Sequence, residues 1–280
     1  MGTMVTIHVA EPAARAAVDS AFQWFYQIEE RCTRFDPNSE LMQLTAQIGV
    51  PVEVSDILYQ SVQFALMVAE ESGGAFDPTV GHRMESSGFN REHRSGNFVR
   101  TPILPDSGVS YRDVLLDPVR KTITLRRPLL LDLGAVAKGL AIDTAARELQ
   151  AVTENFTIDA GGDLYLAGHN PQSAPWSVGI RHPREDRRLI DTLFVSNQAV
   201  CTSGDYERGR HVIDARTGDP ATSVASATVV APSAMLADAL ATAAFVLGPV
   251  DGIDMLNRLG VEGLIITPEL ERYETPGLRG

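Results

Sequence analysis

The sequence predicts an α+β fold, and three observations lead to this prediction. Short β-branched segments occur in runs, with Gly, Pro or Asp turns between them. Only a few segments place apolar residues at helical spacing, and they do not alternate regularly with the strands as an α/β fold requires. The 280 residues contain no internal repeat and suffice for one large domain or two small ones.

The N-terminal quarter of the chain is predicted to be mainly helical. A strand is predicted at 3–10, where β-branched residues alternate with others. Pro12 starts a helix in which apolar residues recur every three or four positions. Ser55 caps a second helix, which ends at Gly73 and Gly74 because glycine readily adopts the conformation that closes a helix.

The middle of the chain mixes loops, strands and one helix. A loop is predicted at 35–40, and the polar, Gly-rich residues 82–112 predict a long excursion. Strand-like residues follow at 114–117 and again over 121–134, where a buried strand is predicted to end at Asp132. The next helix is predicted over 136–149.

Short strands dominate the C-terminal half. They are predicted near 155–159, 163–168, 176–181, 189–195, 198–202, 210–214 and 226–231. Ser233 caps an apolar helix that Gly248 and Pro249 end. A short helix and a last strand at 263–268 complete the prediction.

Composition and charge narrow the classes of partner. The net charge is −12, and a chain without a basic face gains no counterion release, so nucleic acid and anionic membranes are not expected partners. No apolar run approaches the length of about 18 residues that predicts a membrane span, and the N-terminus lacks the features of a signal peptide. A cytoplasmic location is expected for the chain as given. Cys32 and Cys201 are predicted to be buried free thiols.

The segment LLLDLGAVAKGLAID, residues 129–143, places an aspartate and a lysine around a predicted helix start. Backbone N–H groups at such a start favour an anion. Lys138 lies one turn into the helix, and Gly139 allows another backbone to approach closely. The alternative is an ordinary capped helix, with Asp132 as the N-terminal acceptor and Lys138 in solvent.

Several other segments allow both a structural and a functional interpretation. In IDAGGDLYLAG, residues 158–168, the paired glycines indicate either a hairpin or close contact with a ligand. GGAFDPTVG at 73–81 and CTSGDYER at 201–208 are ordinary loops when taken singly. RHVIDARTGDPA, residues 210–221, is either a strand that ends in a turn or a piece of an active site.

The helix ADALATAAFVLG is the most informative segment. Asp238 and Thr242 are four residues apart and so share one face of a helix that is otherwise apolar. A buried carboxylate must be paired or bound to a cation, and a carboxylate with a hydroxyl suits Mg²⁺. The alternative is that both side chains only bond to nearby backbone. Because aspartates recur beside Gly, Ala or Thr at element ends, the residues predict a Mg²⁺-dependent site for a phosphorylated ligand.

Eight segments, taken in chain order, resemble the ApbE family, the FAD:protein FMN transferases. They are MGT at the N-terminus, FDPNSELMQL, GGAFDPTVG, DLGAVAKGLAID, DAGGDLYLAG, TSGDYE, HVIDARTG and ADALATAAFVLG. The match spans nearly the whole chain, and eight motifs in order are far more specific than any one of them. The resemblance implies one domain over 1–280 with a bilobal, T-fold-like α+β architecture. It would have mixed or antiparallel sheets, packed helices and an FAD cleft between the lobes.

The resemblance also implies a reaction. FAD is the substrate, and its FMN moiety is transferred with the help of Mg²⁺ to a Thr or Ser hydroxyl of a target protein, with release of AMP. Two alternatives are a pyrophosphatase that hydrolyses FAD to FMN and AMP, and a flavin-binding protein without turnover.

Site residues follow from the same resemblance, position by position. The metal ligands would be the backbone carbonyl of Ala135 and the side chains of Asp238 and Thr242. The FAD contacts would be Met1, Phe35, Ala75, Phe76, Asp77, Asp132 and Lys138, with Phe35 stacked on the isoalloxazine ring. His211, with Asp214 beside it, would be the base that accepts the target's proton, or it would hydrogen-bond a phosphate.

Overall fold

Helices and strands alternate irregularly along the chain in the computed structural model, which describes residues 2–9, 15–92, 96–102, 108–206 and 212–278. In chain order they are β1 (Val5–Val9), α1 (Arg15–Cys32), α2 (Glu40–Thr45), β2 (Val52–Glu53), α3 (Asp56–Glu71), α4 (Gly81–Ser86), β3 (Val114–Asp117), β4 (Thr122–Leu125), α5 (Gly134–Gln150), β5 (Phe156–Ala160), β6 (Asp163–Ala167), β7 (Trp176–Arg181), β8 (Leu189–Val195), β9 (Gln198–Gly204), β10 (Ser226–Ala231), α6 (Ala234–Leu247), α7 (Pro249–Leu259), β11 (Glu262–Ile266) and β12 (Arg272–Glu274).

A seven-stranded sheet with the order β1-β5-β6-β9-β10-β11-β12 forms the centre of the fold. Its neighbouring strands are all antiparallel. Two smaller sheets, β2-β4-β3 and β7-β8, are antiparallel as well. The predicted α+β class with antiparallel sheets is therefore confirmed.

The main sheet is covered on both faces. Because side chains alternate along a strand, Ala227 and Val229 of β10 face one core and Val230 faces another. The larger core lies under α5 and α6, which contact β5, β6, β9 and β10. The smaller core is closed by the β7–β8 hairpin, whose Val178 and Leu193 pack against the sheet.

The predicted helix boundaries are largely confirmed because capping residues mark them. The Ser55 hydroxyl accepts a hydrogen bond from the Leu58 N–H at 3.3 Å, and Ser233 does the same for Leu236 at 3.3 Å. Helix α6 is buried around most of its circumference, as its apolar composition predicts. Pro12, which is predicted to start the first helix, lies outside the described residues.

Four predictions about elements need correction. Residues 129–132 do not form a strand: Leu129 to Leu131 are fully buried, but only Leu130 makes a β-bridge, to Val80. The apolar run there reflects burial rather than strand pairing. Helix α2 was not predicted, although Ser39 caps it by accepting from the Met42 N–H at 3.1 Å.

The other two corrections concern the C-terminal half. Strand β11 is followed by a further strand, β12, so the predicted last strand is not the last. The predicted strand at 210–214 is reduced, within its described residues, to a single β-bridge between Ile213 and Pro220.

Cys32 and Cys201 are both buried and free, as predicted. Among the helices of the described residues, none is long and apolar enough to cross a membrane.

Candidate active site

A cluster of one half-buried lysine and two buried carboxylates lies where α5, α6 and β6 meet. The Lys138 ammonium donates a hydrogen bond to Asp163 Oδ2 and lies 3.6 Å from Asp238 Oδ2. Asp163 is only 2% exposed and also accepts from the Thr202 N–H at 3.2 Å. Among these three side chains, two carboxylates lie against one ammonium, so together the three carry a net negative charge. Lys138 is thus paired rather than solvated, so the solvated alternative is wrong.

Asp163 was not predicted as a site residue. Its position is explained by the hairpin between β5 and β6, where Gly161 and Gly162 have φ angles of 69° and 97°. Both angles lie in the left-handed region that a tight two-residue hairpin turn requires. The Gly-Gly pair therefore makes the turn, and the residue directly after it carries the buried carboxylate. The aspartate that follows the Gly-Gly pair was the available sequence signal.

Asp238 and Thr242 lie one turn apart on α6, as predicted. Asp238 is 5% exposed, and the Thr242 hydroxyl is 3.1 Å from that of Ser203. A carboxylate and a hydroxyl are hard oxygen donors, and the negative charge of the cluster favours a cation. These residues fit a magnesium ion by the chemistry of their donors.

Two further residues that were predicted to belong to the site, Asp132 and Ala135, lie at the start of α5. Asp132 accepts a hydrogen bond through Oδ1 from the N–H of Gly134, the first residue of α5, at 2.8 Å. Ala135, whose carbonyl was predicted as a metal ligand, lies in the first turn of this helix. Only one part of the alternative interpretation, Asp132 as the N-terminal acceptor, is therefore confirmed. The second carboxylate oxygen of Asp132 bonds to another residue.

That partner is Arg34, a second residue that the sequence did not single out. Its Nε donates to Asp132 Oδ2 at 2.5 Å, and its Nη2 donates to the Phe89 carbonyl at 2.6 Å. The guanidinium carbon lies 4.2 Å from the centre of the Phe35 ring. One buried side chain thus connects two of the residues predicted to contact FAD.

The loop at 73–81 packs against the segment that leads into α5. The Asp132 N–H donates to the Pro78 carbonyl at 2.7 Å, and a Cβ on Gly81 would lie 2.5 Å from the Leu130 carbonyl oxygen. Ala75 and Phe76 are both buried within this loop. Close backbone contact therefore brings the two predicted FAD-binding segments together.

Asp77 is buried and supports the shape of this loop. Its Oδ1 accepts from the Thr79 N–H at 2.9 Å and the Thr79 hydroxyl at 2.8 Å, and its Oδ2 accepts from the Tyr111 N–H at 2.9 Å. Burial raises the pKa of the Asp77 carboxyl, although these hydrogen bonds act in the opposite direction. The carboxylate is engaged by the protein itself.

Helices α5 and α6 cross closely beside the charge cluster. A Cβ on Gly139 would lie 2.5 Å from the Met235 nitrogen and 2.6 Å from the Ala234 carbonyl oxygen, so the predicted close approach is confirmed. Asp143 of α5 accepts from the N–H groups of Ala234 and Met235 at 2.7 and 2.9 Å. Burial raises the pKa of Asp143, while these two hydrogen bonds lower it. Its carboxylate thereby caps α6, the helix that carries Asp238.

The segment at 212–221 is a tight turn, with Asp214 at its base. Arg216 donates to both Asp214 oxygens, at 3.0 Å from Nε and 2.8 Å from Nη2. Burial alone would raise the pKa of Asp214, but the hydrogen bonds from Arg216 and the Thr217 backbone lower it below its ordinary value. Arg83 of α4 donates to the Ala215 carbonyl at 2.6 Å, which ties this turn to the helix after the 73–81 loop. His211 and Met1 lie outside the described residues.

Comparisons with known proteins agree on one relationship. The model of the ApbE family matches residues 1–265. A FAD:protein FMN transferase of Treponema pallidum is 33% identical over 99% of this chain and 85% of its own length. One of Haemophilus influenzae is 30% identical over 86% of this chain and 73% of its own length.

Solved structures show the same likeness. The crystal structure of an ApbE protein from Thermotoga maritima has a TM-score of 0.85 at 30% identity, and it covers 98% of this chain and 94% of its own. The flavin transferase ApbE from Vibrio cholerae has a TM-score of 0.86 at 26% identity, with coverage of 100% and 96%.

Proposed function

Because the chain belongs to the ApbE family, we propose that it is an FAD:protein FMN transferase. The structural observation that carries the proposal is the cluster of Lys138 with the buried carboxylates of Asp163 and Asp238, beside Thr242. Such a cluster suits an anionic ligand that arrives with a cation. We further propose that the whole chain forms one transferase domain in which FAD lies between two lobes.

The reaction exchanges the phosphoanhydride bond of FAD for a phosphoester bond to the acceptor. A Thr or Ser hydroxyl oxygen of the target protein forms a bond to the FMN phosphorus of FAD. The pyrophosphate P–O bond breaks, AMP leaves with the bridging oxygen, and the hydroxyl proton goes to a base. Phosphoryl transfer depends mainly on positioning and charge neutralisation rather than on covalent help from the protein.

We propose Asp238, Thr242 and the Ala135 carbonyl as the magnesium ligands. Bound there, the ion would neutralise charge on the pyrophosphate during transfer. Asp238 is suited to this role because it is buried and partly neutralised by Lys138. Lys138 would offer its ammonium to the pyrophosphate while Asp163 fixes its position.

The flavin half of FAD would contact the surfaces on either side of Asp132. We propose that Phe35 stacks on the isoalloxazine ring and that Met1, Ala75, Phe76, Asp77 and Asp132 complete the contacts. Since Thr79 and Tyr111 already engage the Asp77 carboxylate, the contribution of Asp77 is to hold the loop around the ligand.

His211 has two proposed roles that a pH profile separates. If His211 is the base, the substitution His211→Asn lowers kcat strongly and removes the acidic limb of the pH profile. If His211 is a phosphate ligand, the same substitution raises KM for FAD and leaves the shape of the pH profile unchanged. Asp214 would hold the segment that carries it, since its own carboxylate is bound by Arg216.

Incubation of the chain with FAD, Mg²⁺ and a protein that contains a flavinylation site tests the function. The expected result is a covalent FMN adduct in the intact mass of the acceptor, with AMP released in equal amount. Equal release of AMP and FMN with and without acceptor would identify a hydrolase instead. No AMP under any condition would leave only flavin binding.

The metal assignment has its own test. Asp238→Ala is expected to abolish the Mg²⁺-dependent release of AMP, because the buried carboxylate is the charged ligand of the proposed set. The matched control is Asp254→Ala on α7, an exposed aspartate that should leave turnover unchanged. Full activity of Asp238→Ala would show that this assignment is wrong.

We also propose a cytoplasmic site of action for the chain as given. Its two cysteines are both buried and free, which is usual where thiols are kept reduced. Cell fractionation with an antibody against the chain checks this proposal.

A further inference from the structure

Arg34 is the most enclosed arginine at the candidate site. Its side chain is 4% exposed, and two of its nitrogens donate to Asp132 and to the Phe89 carbonyl. Within the described part of the chain, the third nitrogen, Nη1, is buried without a hydrogen-bond partner. An enclosed donor without an acceptor is costly, so this side chain is a poor choice for fold stability alone.

Two of the contacts of Arg34 are made with proposed flavin-binding groups, Asp132 and Phe35. Its Nε is 2.5 Å from Asp132 Oδ2, while the other Asp132 oxygen accepts from the Gly134 N–H at 2.8 Å. Both oxygens of the carboxylate are therefore engaged, which fixes its orientation. On its flat face, the guanidinium lies 4.2 Å from the centre of the Phe35 ring. A cation over an aromatic face limits the tilt of that ring.

We propose that Arg34 is the positioning residue of the flavin ring. It acts through Phe35 and Asp132 by setting the plane of one and the orientation of the other before FAD arrives. Pre-organised groups bind more tightly because less freedom is lost on binding. This inference rests on the proposed FAD-binding function and adds a residue and a role to it.

A double-mutant cycle on FAD binding tests the proposal. Titration calorimetry with FAD and Mg²⁺ compares the intact chain with Arg34→Met, Asp132→Asn and the double variant. Each single change is expected to raise the Kd for FAD about tenfold or more, in line with the loss of a hydrogen bond to a charged group. The Kd of the double variant for FAD should exceed that of the more weakly binding single variant by no more than about threefold, because both changes break the same interaction. Multiplied effects, about a hundredfold together, would overturn the proposal.

A second ligand separates positioning from general damage to the site. ADP carries the adenosine and the pyrophosphate of FAD but lacks the ring, so Arg34→Met should change its Kd by less than about twofold. Equal weakening of FAD and ADP would show a merely structural role. If Arg34→Met does not fold, Arg34→Lys replaces it in the cycle, because lysine keeps the charge but not the planar fork of donors.

Arg112→Met is the matched control. Arg112 also stacks on the aromatic ring next to it in sequence, with its guanidinium carbon 4.5 Å from the centre of the Tyr111 ring, but it is exposed. The Kd of the Arg112→Met variant for FAD should equal that of the intact chain. An intact chain that binds no FAD would overturn the proposed function together with this inference. If the intact chain binds FAD but the effects of the two single substitutions on the Kd multiply in the double variant, the inference alone would be overturned.

Discussion

At the scale of single residues, the pairing of Lys138 with Asp163 sets the stability of the site. Asp163→Asn removes a nearly fully buried charge and leaves Lys138 with Asp238 as its remaining carboxylate in the cluster. The free energy of unfolding is expected to fall by about 1–3 kcal/mol, the range for hydrogen bonds to charged groups. Urea unfolding of the intact chain and of the Asp163→Asn variant measures this change in the free energy of unfolding.

A matched aspartate controls for the change of residue type. Asp186 pairs with Arg181 at 2.8 Å, but its side chain is 89% exposed, so solvent screens the pair. Asp186→Asn should change the unfolding free energy by less than about 0.5 kcal/mol. Equal effects of the two substitutions would contradict the role assigned to Asp163.

The two thiols give a prediction about reactivity. Burial raises the pKa of Cys32 to about 11 and that of Cys201 well above its ordinary value. Since the thiolate is the reactive form, native protein at pH 8 should react with a thiol reagent far more slowly than a free cysteine does. Protein unfolded in guanidinium should show two reactive thiols promptly. Rapid reaction of native protein at pH 8 would mean that the helices covering them open readily.

Residue-level prediction succeeds where the chemistry is local. Asp238 and Thr242 are recognisable because their spacing of four and the apolar residues around them lie within one helix. The partners of Arg34 and Asp163 cannot be predicted in this way, because they lie 98 and 25 residues away in the sequence. Only the fold brings these groups together.

At the scale of elements, the crossing of α5 over α6 determines where Asp238 lies. Alanine in place of a helical glycine normally stabilises a helix by about 1 kcal/mol. At Gly139 the added methyl group would meet the backbone of Ala234 and Met235, which cannot move aside as a side chain can. Gly139→Ala is therefore expected to destabilise the protein by about 1–3 kcal/mol, the usual cost of overpacking.

Thermal and urea unfolding measure this effect, and Mg²⁺-dependent AMP release should decline with it because α6 is displaced. Gln63→Ala, on an exposed face of α3, should change stability by less than about 0.5 kcal/mol. A more stable Gly139→Ala variant would refute the close crossing.

Elements with clear ends are the ones that sequence patterns predict well. Ser55, Ser233 and Gly248 mark helix ends through local capping, and the structure confirms them. Residues 129–132 were predicted wrongly because an apolar run cannot by itself distinguish a buried strand from a buried connection. Tertiary burial, not local propensity, determines the conformation there.

At the scale of the whole molecule, helices cover one face of the main sheet and the β7–β8 hairpin covers the other. The site lies on the helical side, where α5, α6 and β6 meet. The helical layer carries Ala135, Lys138, Asp238 and Thr242, while the sheet contributes Asp163. The class of the fold follows from the order of elements, but the closure of the second face by the β7–β8 hairpin does not. Alternating apolar residues predict that one face of a hairpin is buried, but they do not indicate which sheet that face packs against.

The overall charge of −12 leads to a prediction about how FAD arrives. The long-range field of the protein repels the anionic pyrophosphate, and even the local cluster has more carboxylates than ammonium groups. Raising the ionic strength from about 0.01 M to about 0.15 M shortens the Debye length from about 30 Å to about 8 Å and screens this repulsion. The association rate constant of FAD, measured by stopped-flow fluorescence at a fixed Mg²⁺ concentration, should therefore rise with salt. Riboflavin, which is uncharged, should show no such dependence. A rate constant for FAD that falls with salt would mean that a positive patch near the site, rather than the net charge, governs the approach of the substrate.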